Sequence, residues 1–484
     1  MSLSDSARIR ASCRRVTTWP STSTSTNVLV GFVAARRAEK AASISAWVAS
    51  PRSITRRPKS ESDALPLRDP PLSAFGFALA PEAELGPDES LAAGVPLDFG
   101  SVSLTEVSVP AGSGHCTVTI LLFAIRMQTV PRRILIVRPS ALGDVCRTIP
   151  LLWSLRAAYP HATIDWVVED TWSAAIAAHP ALDEAVAFPK RKLRKFWRNP
   201  RVAWQAARWF FSLRQRRYDL VIDAQGLARS GLMSLMSGAP LRVAHRSARE
   251  FSWLAANLRV ESAPGEHVVD AMLRLVEAAG AIPMAKMHLA LAEADALWWT
   301  EQRRAREIAR PYVVLATANR WEGKRWITSR WRELVVAVSE DLAMAGMHDI
   351  VWIGGPDESA QVAQNALAQE LLTTQRSHDL SGATTVGGMM AIIKDAALVV
   401  SLDSAPAHLA VGFGVPLVAL YGSTSIATDG PYEQDRWCAH GGRNEQVRRH
   451  DYRKVTRGRE LMERISVADV ATLIRKRLKF EVPS

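Results

Sequence analysis

The chain has 484 residues, 48% apolar and 22% charged, which is ordinary for a globular protein and long enough for about three domains. Sixty Lys and Arg against 48 Asp and Glu leave a formal charge of +12, pointing to an anionic partner (nucleic acid, phosphates or an anionic membrane face) without choosing among them. No apolar run reaches the roughly 18 residues of a membrane-spanning helix, no apolar segment of a secretory signal is present, and four scattered cysteines argue against a disulfide framework or a zinc knuckle. Together these features predict a cytoplasmic protein in a reducing compartment.

Residues 1–126 carry the repeat "STSTSTN", the stretch "SPRSITRRPKSESDALPLRDPP" and an acidic, Pro- and Gly-rich segment. None of it sustains an amphipathic period, so it is expected to be a disordered extension. It reads either as a basic docking arm or as a translated upstream region with Met127 as the true start, and composition favours the second.

From Arg133 onward apolar runs alternate with helical stretches, the pattern of a parallel α/β sheet covered by helices. Strands are predicted at Ile134 to Val137, Thr163 to Val168 and Leu220 to Ile222, and helices at Val145 to Tyr159, Leu227 to Met236 and His267 to Ala279. The plan restarts with "YVVLAT" at Tyr312, "DIVWIGG" at Asp349, "ALVVSLD" at Ala397 and "PLVALYG" at Pro416. Two α/β domains are therefore predicted, 127–295 and 311–484, joined by a connecting segment over 296–310. Ligands in such proteins sit against the C-terminal strand ends, so polar residues there are the candidates for chemistry.

Four places qualify. In "RPSALGDV" Gly143 permits a tight backbone approach, and Asp144 opens the next helix as a cap or as a base facing the cleft. "IDAQG" ends a strand in Asp223, Gln225 and Gly226, which would orient a ligand or form a plain turn with Asp223 as helix cap. "TANRWEGKRW" offers the Thr317 hydroxyl and the Lys324 charge for a phosphate, unless it is a solvated basic loop. In "SLDSAPAH" a buried strand ends at Asp403, and Ser404 to His408 open a helix whose free N–H groups suit a diphosphate. Whether His408 is a ligand contact or structural stays open.

The combination of "RPSALGDVCRTIPLLWSLR", "YDLVIDAQGLARSGLMS", "RWEGKRW", "DLSGATTVGGMMAIIKDAALVVSLDSAPAHLAVGFGVPLVALYGST" and "DGPY" resembles the family 9 glycosyltransferases, the lipopolysaccharide heptosyltransferases. "IDAQGL" and "HRSAREFSWLA" are more similar to heptosyltransferase I. The resemblance spans about residues 132 to 478. It implies the GT-B fold, two Rossmann-like domains around an interdomain cleft, with the acceptor on the N-terminal half and the nucleotide sugar on the C-terminal half. It also implies inverting transfer of L-glycero-D-manno-heptose from ADP-heptose to a lipid-anchored Kdo residue. By the same resemblance Asp144 is the catalytic base, while Lys324, Asp403, Ser404 and His408 bind the donor together with Thr317. The donor-ribose carboxylate falls on Asp357, where the heptosyltransferase I pattern usually has Glu. The family's Thr-Thr pair is reduced to Thr317 followed by Ala318-Asn319, with a longer spacing to Lys324.

On this reading Asp223, Gln225 and Gly226 orient the acceptor sugar, and Arg242, Arg246 and Arg249 meet its carboxylates or phosphates. No cofactor or metal is expected, since the chain has no Asp-x-Asp pair. The basic and aromatic run Lys190 to Arg217 suits either a membrane interface or a helix packed by its aromatic face. A monomer, peripheral at the cytoplasmic face of the inner membrane and without nucleic-acid partners, is the expectation. Rival readings are another nucleotide sugar or acceptor, a catalytically silent GT-B scaffold, and a nucleic-acid-binding protein. A nicotinamide dehydrogenase fits poorly, because Pro-Ser-Ala-Leu-Gly-Asp stands where a G-x-G-x-x-G fingerprint would be needed.

Overall fold

The computed structural model describes residues 104–111, 114–121, 130–194, 196–365, 375–442, 453 and 455–481. Most of the predicted extension lies outside these residues. Within it, strands β1 (Leu104–Ala111) and β2 (Gly114–Leu121) pair as an antiparallel hairpin.

From β3 (Arg133–Val137) the chain builds an all-parallel sheet with β4 (Thr163–Glu169), β5 (Glu184–Phe188), β6 (Leu220–Asp223), β7 (Leu241–His245) and β8 (Leu258–Val260), in the order β5-β4-β3-β6-β7-β8. The second half repeats that order with β9 (Tyr312–Ala316), β10 (Asp349–Trp352), β11 (Arg376–Asp379), β12 (Leu398–Leu402), β13 (Leu417–Tyr421) and β14 (Cys438–His440), as β11-β10-β9-β12-β13-β14. Central strands are buried on both faces and read as unbroken apolar runs, as parallel sheets between helices require. In each sheet the strand order reverses beside the first strand of the half, between β3 and β6 and between β9 and β12, and a crevice opens at such a reversal. The four polar constellations of the sequence follow those four strands.

Helix α1 (Leu142–Ala158) leaves β3, α2 (Pro200–Gln215) precedes β6, α3 (Ala228–Ser237) follows it, and α4 (Val268–Ala278) closes the first half. Helix α5 (Glu293–Ala305), predicted as connecting segment, lies on the second half. A Cβ at Gly388 would meet the Trp298 ring at 2.7 Å, and Trp299 donates its Nε1–H to the Tyr312 hydroxyl at 3.0 Å. The crossing between halves is short. The His288 carbonyl accepts from Trp153 Nε1 at 3.0 Å and lies 3.1 Å from His179 Nε2, both in the first half, while the Leu289 N–H donates to Gly412 O of the second half at 2.9 Å.

In the second half α6 (Thr328–Met344), α7 (Ser359–Asn365), α8 (Val386–Lys394), α9 (Ala405–Phe413) and α10 (Val455–Glu463) alternate with or follow the strands, and α11 (Val467–Glu481) returns against α6. The largest apolar cluster is continuous across the two halves, holding Leu142 and Val145 of α1 together with Ala407, Leu409 and Ala410 of α9. Cys146 and Cys438 are buried free thiols, and burial pushes Cys146 up to about 12.

The loop carrying Lys324 is clamped from behind. Trp326 donates to Ile465 O at 3.0 Å and meets the fully buried Trp331 edge-on, with ring centroids 5.0 Å apart. Trp331→Ala should therefore lower unfolding stability by about 3–5 kcal/mol. The check is a fall in the urea midpoint with an unchanged denaturant slope.

Candidate active site

Beyond β3 the chain turns through Arg138-Pro-Ser-Ala and enters α1, whose N-cap Ala141 has no side-chain acceptor. Asp144 supplies one: its Oδ2 accepts the Ala141 N–H at 3.4 Å. Its Oδ1 faces two cations, Arg138 Nη2 at 3.1 Å and the Arg147 guanidinium one helical turn further on. One oxygen thus caps the helix start, and the other belongs to a charged cluster. Burial alone would raise its pKa, but Arg138 and then Arg147 override it and hold the carboxyl far below the usual carboxylate range. Arg138 also donates to Ala224 O in the loop after β6. Arg147 reaches across the halves to Asp429, donating to its backbone oxygen at 3.1 Å and to Oδ1 at 3.4 Å.

On the facing side β9 runs into the buried Thr317 and then Asn319, whose Nδ2 donates to Asp403 O at 2.8 Å. Asn319 Oδ1 in turn accepts the Trp321 N–H at 2.9 Å, which folds the loop so that Lys324 Nζ lies 2.6 Å from Asp403 Oδ2. Ser404 caps α9 through its backbone. Its Oγ stays beside Ser401 Oγ and Leu402 O, each at 3.3 Å, and so does not cap this nine-residue helix, whose second residue Pro406 has no N–H and whose Ala407 N–H donates to Ser404 O at 3.2 Å.

His408, on α9, meets α1 at Gly143. It is buried, its Nδ1 has no hydrogen-bond partner, and a Cβ at Gly143 would sit 2.9 Å from its Cδ2. Desolvation, then the positive charge of Arg147, drives its pKa well below 6.5, so the ring is neutral. The helix bearing Asp144 and the helix beginning after Asp403 therefore meet at a contact where only glycine fits. The charges of Asp144 and Lys324 both act on this one imidazole.

The acceptor-side candidates are placed differently from expectation. Asp223 is 2% exposed and accepts from Gln225 N at 3.0 Å, Gly226 N at 2.9 Å and Ser230 Oγ at 3.0 Å. Its carboxylate shapes its own turn, so the turn reading prevails over direct contact with a sugar. Gln225 Oε1 accepts the Ser140 N–H at 3.2 Å and so braces the loop that delivers Asp144, while Gly226 takes the left-handed φ of +67° that the turn needs. Arg242 donates from Nε and Nη1 to backbone carbonyls, Ala255 at 2.7 Å and Ala239 at 2.5 Å. Arg246 pairs at the surface with Glu261 at 3.3 Å, and Arg249 is exposed. Asp357 is exposed in the turn after β10, where its neighbour Glu358 folds back onto Gly355 N at 2.9 Å.

Sequence reasoning missed Arg138, Arg147, Asn319 and Asp429. A signal existed for two of them: Arg138 follows a buried strand directly, and Arg147 lies three residues after Asp144 on the same helical face. Among the described residues no group of three His, Cys, Asp or Glu gathers as a metal site.

A model of glycosyltransferase family 9 (heptosyltransferase) matches residues 206–456. The chain belongs to glycosyltransferase family 9. Among its relatives, lipopolysaccharide heptosyltransferase 1 of Pseudomonas aeruginosa is 29% identical over 307 residues, covering 62% of this chain and 81% of that protein. The Escherichia coli K12 protein of the same name is 26% identical over 327 residues, covering 65% and 95%. A family 9 glycosyl transferase from Veillonella parvula superposes with a TM-score of 0.58 at 20% identity, over 72% of this chain and 98% of that one. E. coli heptosyltransferase WaaC with ADP-2-deoxy-2-fluoro heptose gives 0.53 at 23%, over 71% and 99%. These likenesses establish the two six-stranded sheets as GT-B.

Two measurements follow from the charges in this family 9 site. His408, His267, His245 and His179 are all held below 6.5, by burial first in each case. The unfolded chain binds protons that the folded one refuses, so stability is full about a pH unit above 6.5 and falls as pH drops through it. Tm should decline from pH 7.5 to 5.5, and His408→Gln should flatten the decline; an unaltered slope would contradict a neutral buried ring. Asp144→Asn leaves Arg138 and Arg147 facing a neutral amide. With Asp144 26% exposed, the loss should be about 2–3 kcal/mol in chemical denaturation.

Proposed function

We propose that this enzyme transfers L-glycero-D-manno-heptose from ADP-heptose to Kdo of the lipopolysaccharide inner core, with inversion, working as a peripheral protein at the membrane face that holds the lipid acceptor. The observation that carries this reading is the contact of Gly143, the neighbour of Asp144, with His408 and Ala405 of the helix that begins just after the Lys324–Asp403 pair, at the strand-order reversals of the two halves. The similarity to heptosyltransferase 1 proteins supports the choice of sugar and acceptor.

In this mechanism the acceptor hydroxyl oxygen attacks the anomeric carbon while the bond from that carbon to the diphosphate oxygen breaks. The hydroxyl proton passes to Asp144, and ADP leaves with the bonding electrons. Lys324 and the positive N-terminal end of α9 bind the diphosphate and stabilise its growing charge. A carboxylate held by two guanidiniums is a weak base. Proton transfer then comes late, once bonding to the anomeric carbon has made the hydroxyl acidic. The same guanidiniums keep Asp144 ionised over the whole physiological range.

Release of ADP from ADP-heptose by the full chain, with and without a Kdo₂-lipid acceptor, tests the proposal. Release should depend on acceptor and fall about 10²–10⁴-fold in Asp144→Ala, compared at a temperature where circular dichroism shows both proteins folded. Lys324→Ala should raise the donor KM about tenfold or more. Absence of acceptor-dependent release from a folded protein that binds ADP-heptose would exclude this acceptor.

A further inference from the structure

The turn and helix that follow β5 present a second apolar face, for which the fold has no use. Between Glu184 and Asp219 the sequence has no acidic residue, and Lys190 to Arg217 includes eleven lysines and arginines. The inward stripe of α2, with Val202, Ala206, Trp209, Phe210 and Leu213, packs on the sheet beside Phe188. Trp209 also donates to Ala187 O at 3.0 Å. That stripe meets the ordinary requirement of an amphipathic surface helix, and it answers half of the alternative posed by the sequence.

The outer stripe follows the same spacing: Arg201, Trp204, Arg208, Phe211. Trp204 is 63% and Phe211 54% exposed, and Phe196 and Trp197 in the preceding turn add 52% and 67%. The Arg208 guanidinium lies 5.6 Å from the Trp204 ring centroid. Among the described residues no carboxylate lies within ion-pair distance of Arg191, Lys192, Arg194, Arg198, Arg201 or Arg208. Large aromatics left this open amid unneutralised cations match the headgroup layer of a bilayer, where rings settle at the polar boundary and guanidiniums meet lipid phosphates. Single-stranded nucleic acid would use the same charges, but it favours a groove with stacking platforms rather than the outer face of one helix.

Position agrees with chemistry. Lys190 pairs with Glu169 at 2.8 Å, and Glu169 ends β4 at the C-terminal edge of the first sheet, the edge that also carries the Asp144 and Gln225 loops.

We propose that residues 190–211 are the docking surface for an anionic lipid bilayer, with Trp204 and Phe211 at the level of the headgroups and the flanking arginines on lipid phosphates. For its catalytic purpose this rests on the reading of a membrane-held acceptor; lipid binding itself does not.

Cosedimentation of the full chain with phosphatidylcholine vesicles, with and without about one third phosphatidylglycerol, tests it. Binding should require the anionic lipid and weaken as salt rises from 50 to 300 mM. Trp204→Ala/Phe211→Ala and, separately, Arg201→Glu/Arg208→Glu should each reduce binding roughly tenfold or more, with Tm unchanged. Heptose transfer to a water-soluble, delipidated acceptor should be unaffected in both variants, while transfer to vesicle-held acceptor falls. Failure of wild type to bind anionic vesicles, or equal binding by the aromatic variant, would overturn the proposal. Oligonucleotide binding that the arginine variant loses and the aromatic variant keeps, without vesicle binding, would assign the face to nucleic acid instead. Vesicle binding without transfer to either acceptor would uphold the surface and reject the substrate.

Discussion

Gly143 has no side chain, and His408 fills the space one would occupy. That close approach lets α1 of one half rest on α9 of the other, and the main apolar cluster continues through the contact. With the helices seated, the charges of Asp144 and of Lys324 both act on one neutral ring. Any β-carbon at 143 would have to displace the imidazole or part the helices. The chemistry of the site thus depends on a steric condition set by a residue with no chemistry of its own.

Around this contact charge is arranged economically. Arg138 ties Asp144 to the loop after β6, and Arg147 ties it to Asp429 in the other half. One carboxylate is therefore sensitive to the placement of three loops, two of them from its own sheet. Buried cations of this kind stabilise little in themselves but strongly penalise arrangements that leave them unpaired. They select one relative placement of the halves more than they add to its depth.

Much of this was legible beforehand because parallel strands buried on both faces announce themselves as apolar runs, and their C-terminal ends are where polar residues must have a reason. Hence β3, β6, β9 and β12 and their four loops could be read directly. The outer strands could not. Arg376-Ser-His-Asp of β11 is a strand with no apolar residue, and β8 and β14 are three residues each. Partnership was equally hidden. Asp223 and Arg242 have residue types that suit a sugar hydroxyl and a phosphate, yet Asp223 accepts from the N–H groups of its own turn and Arg242 donates to the carbonyls of Ala239 and Ala255, and the residue types alone do not tell that. Asn319, conversely, looked like an interruption of a familiar pair and proves to be the tie between the lysine loop and the end of β12.

The crossing between the halves has a mechanical meaning. The carbonyl of His288 is held by Trp153 and faces His179, the amide of Leu289 is held by Gly412, and α5 and α11 both belong to the second half. Among the described residues the covalent path changes allegiance at a single peptide. Relative rotation of the two bodies would be taken up at that hinge, by sliding or parting α1 on α9, and by breaking the Arg147–Asp429, His267–Gly430 and Tyr432–Asp270 contacts, without deforming either sheet. Opening the cleft would then loosen one of the two guanidiniums that hold Asp144, so the basicity of the carboxylate and the angle between the halves would vary together.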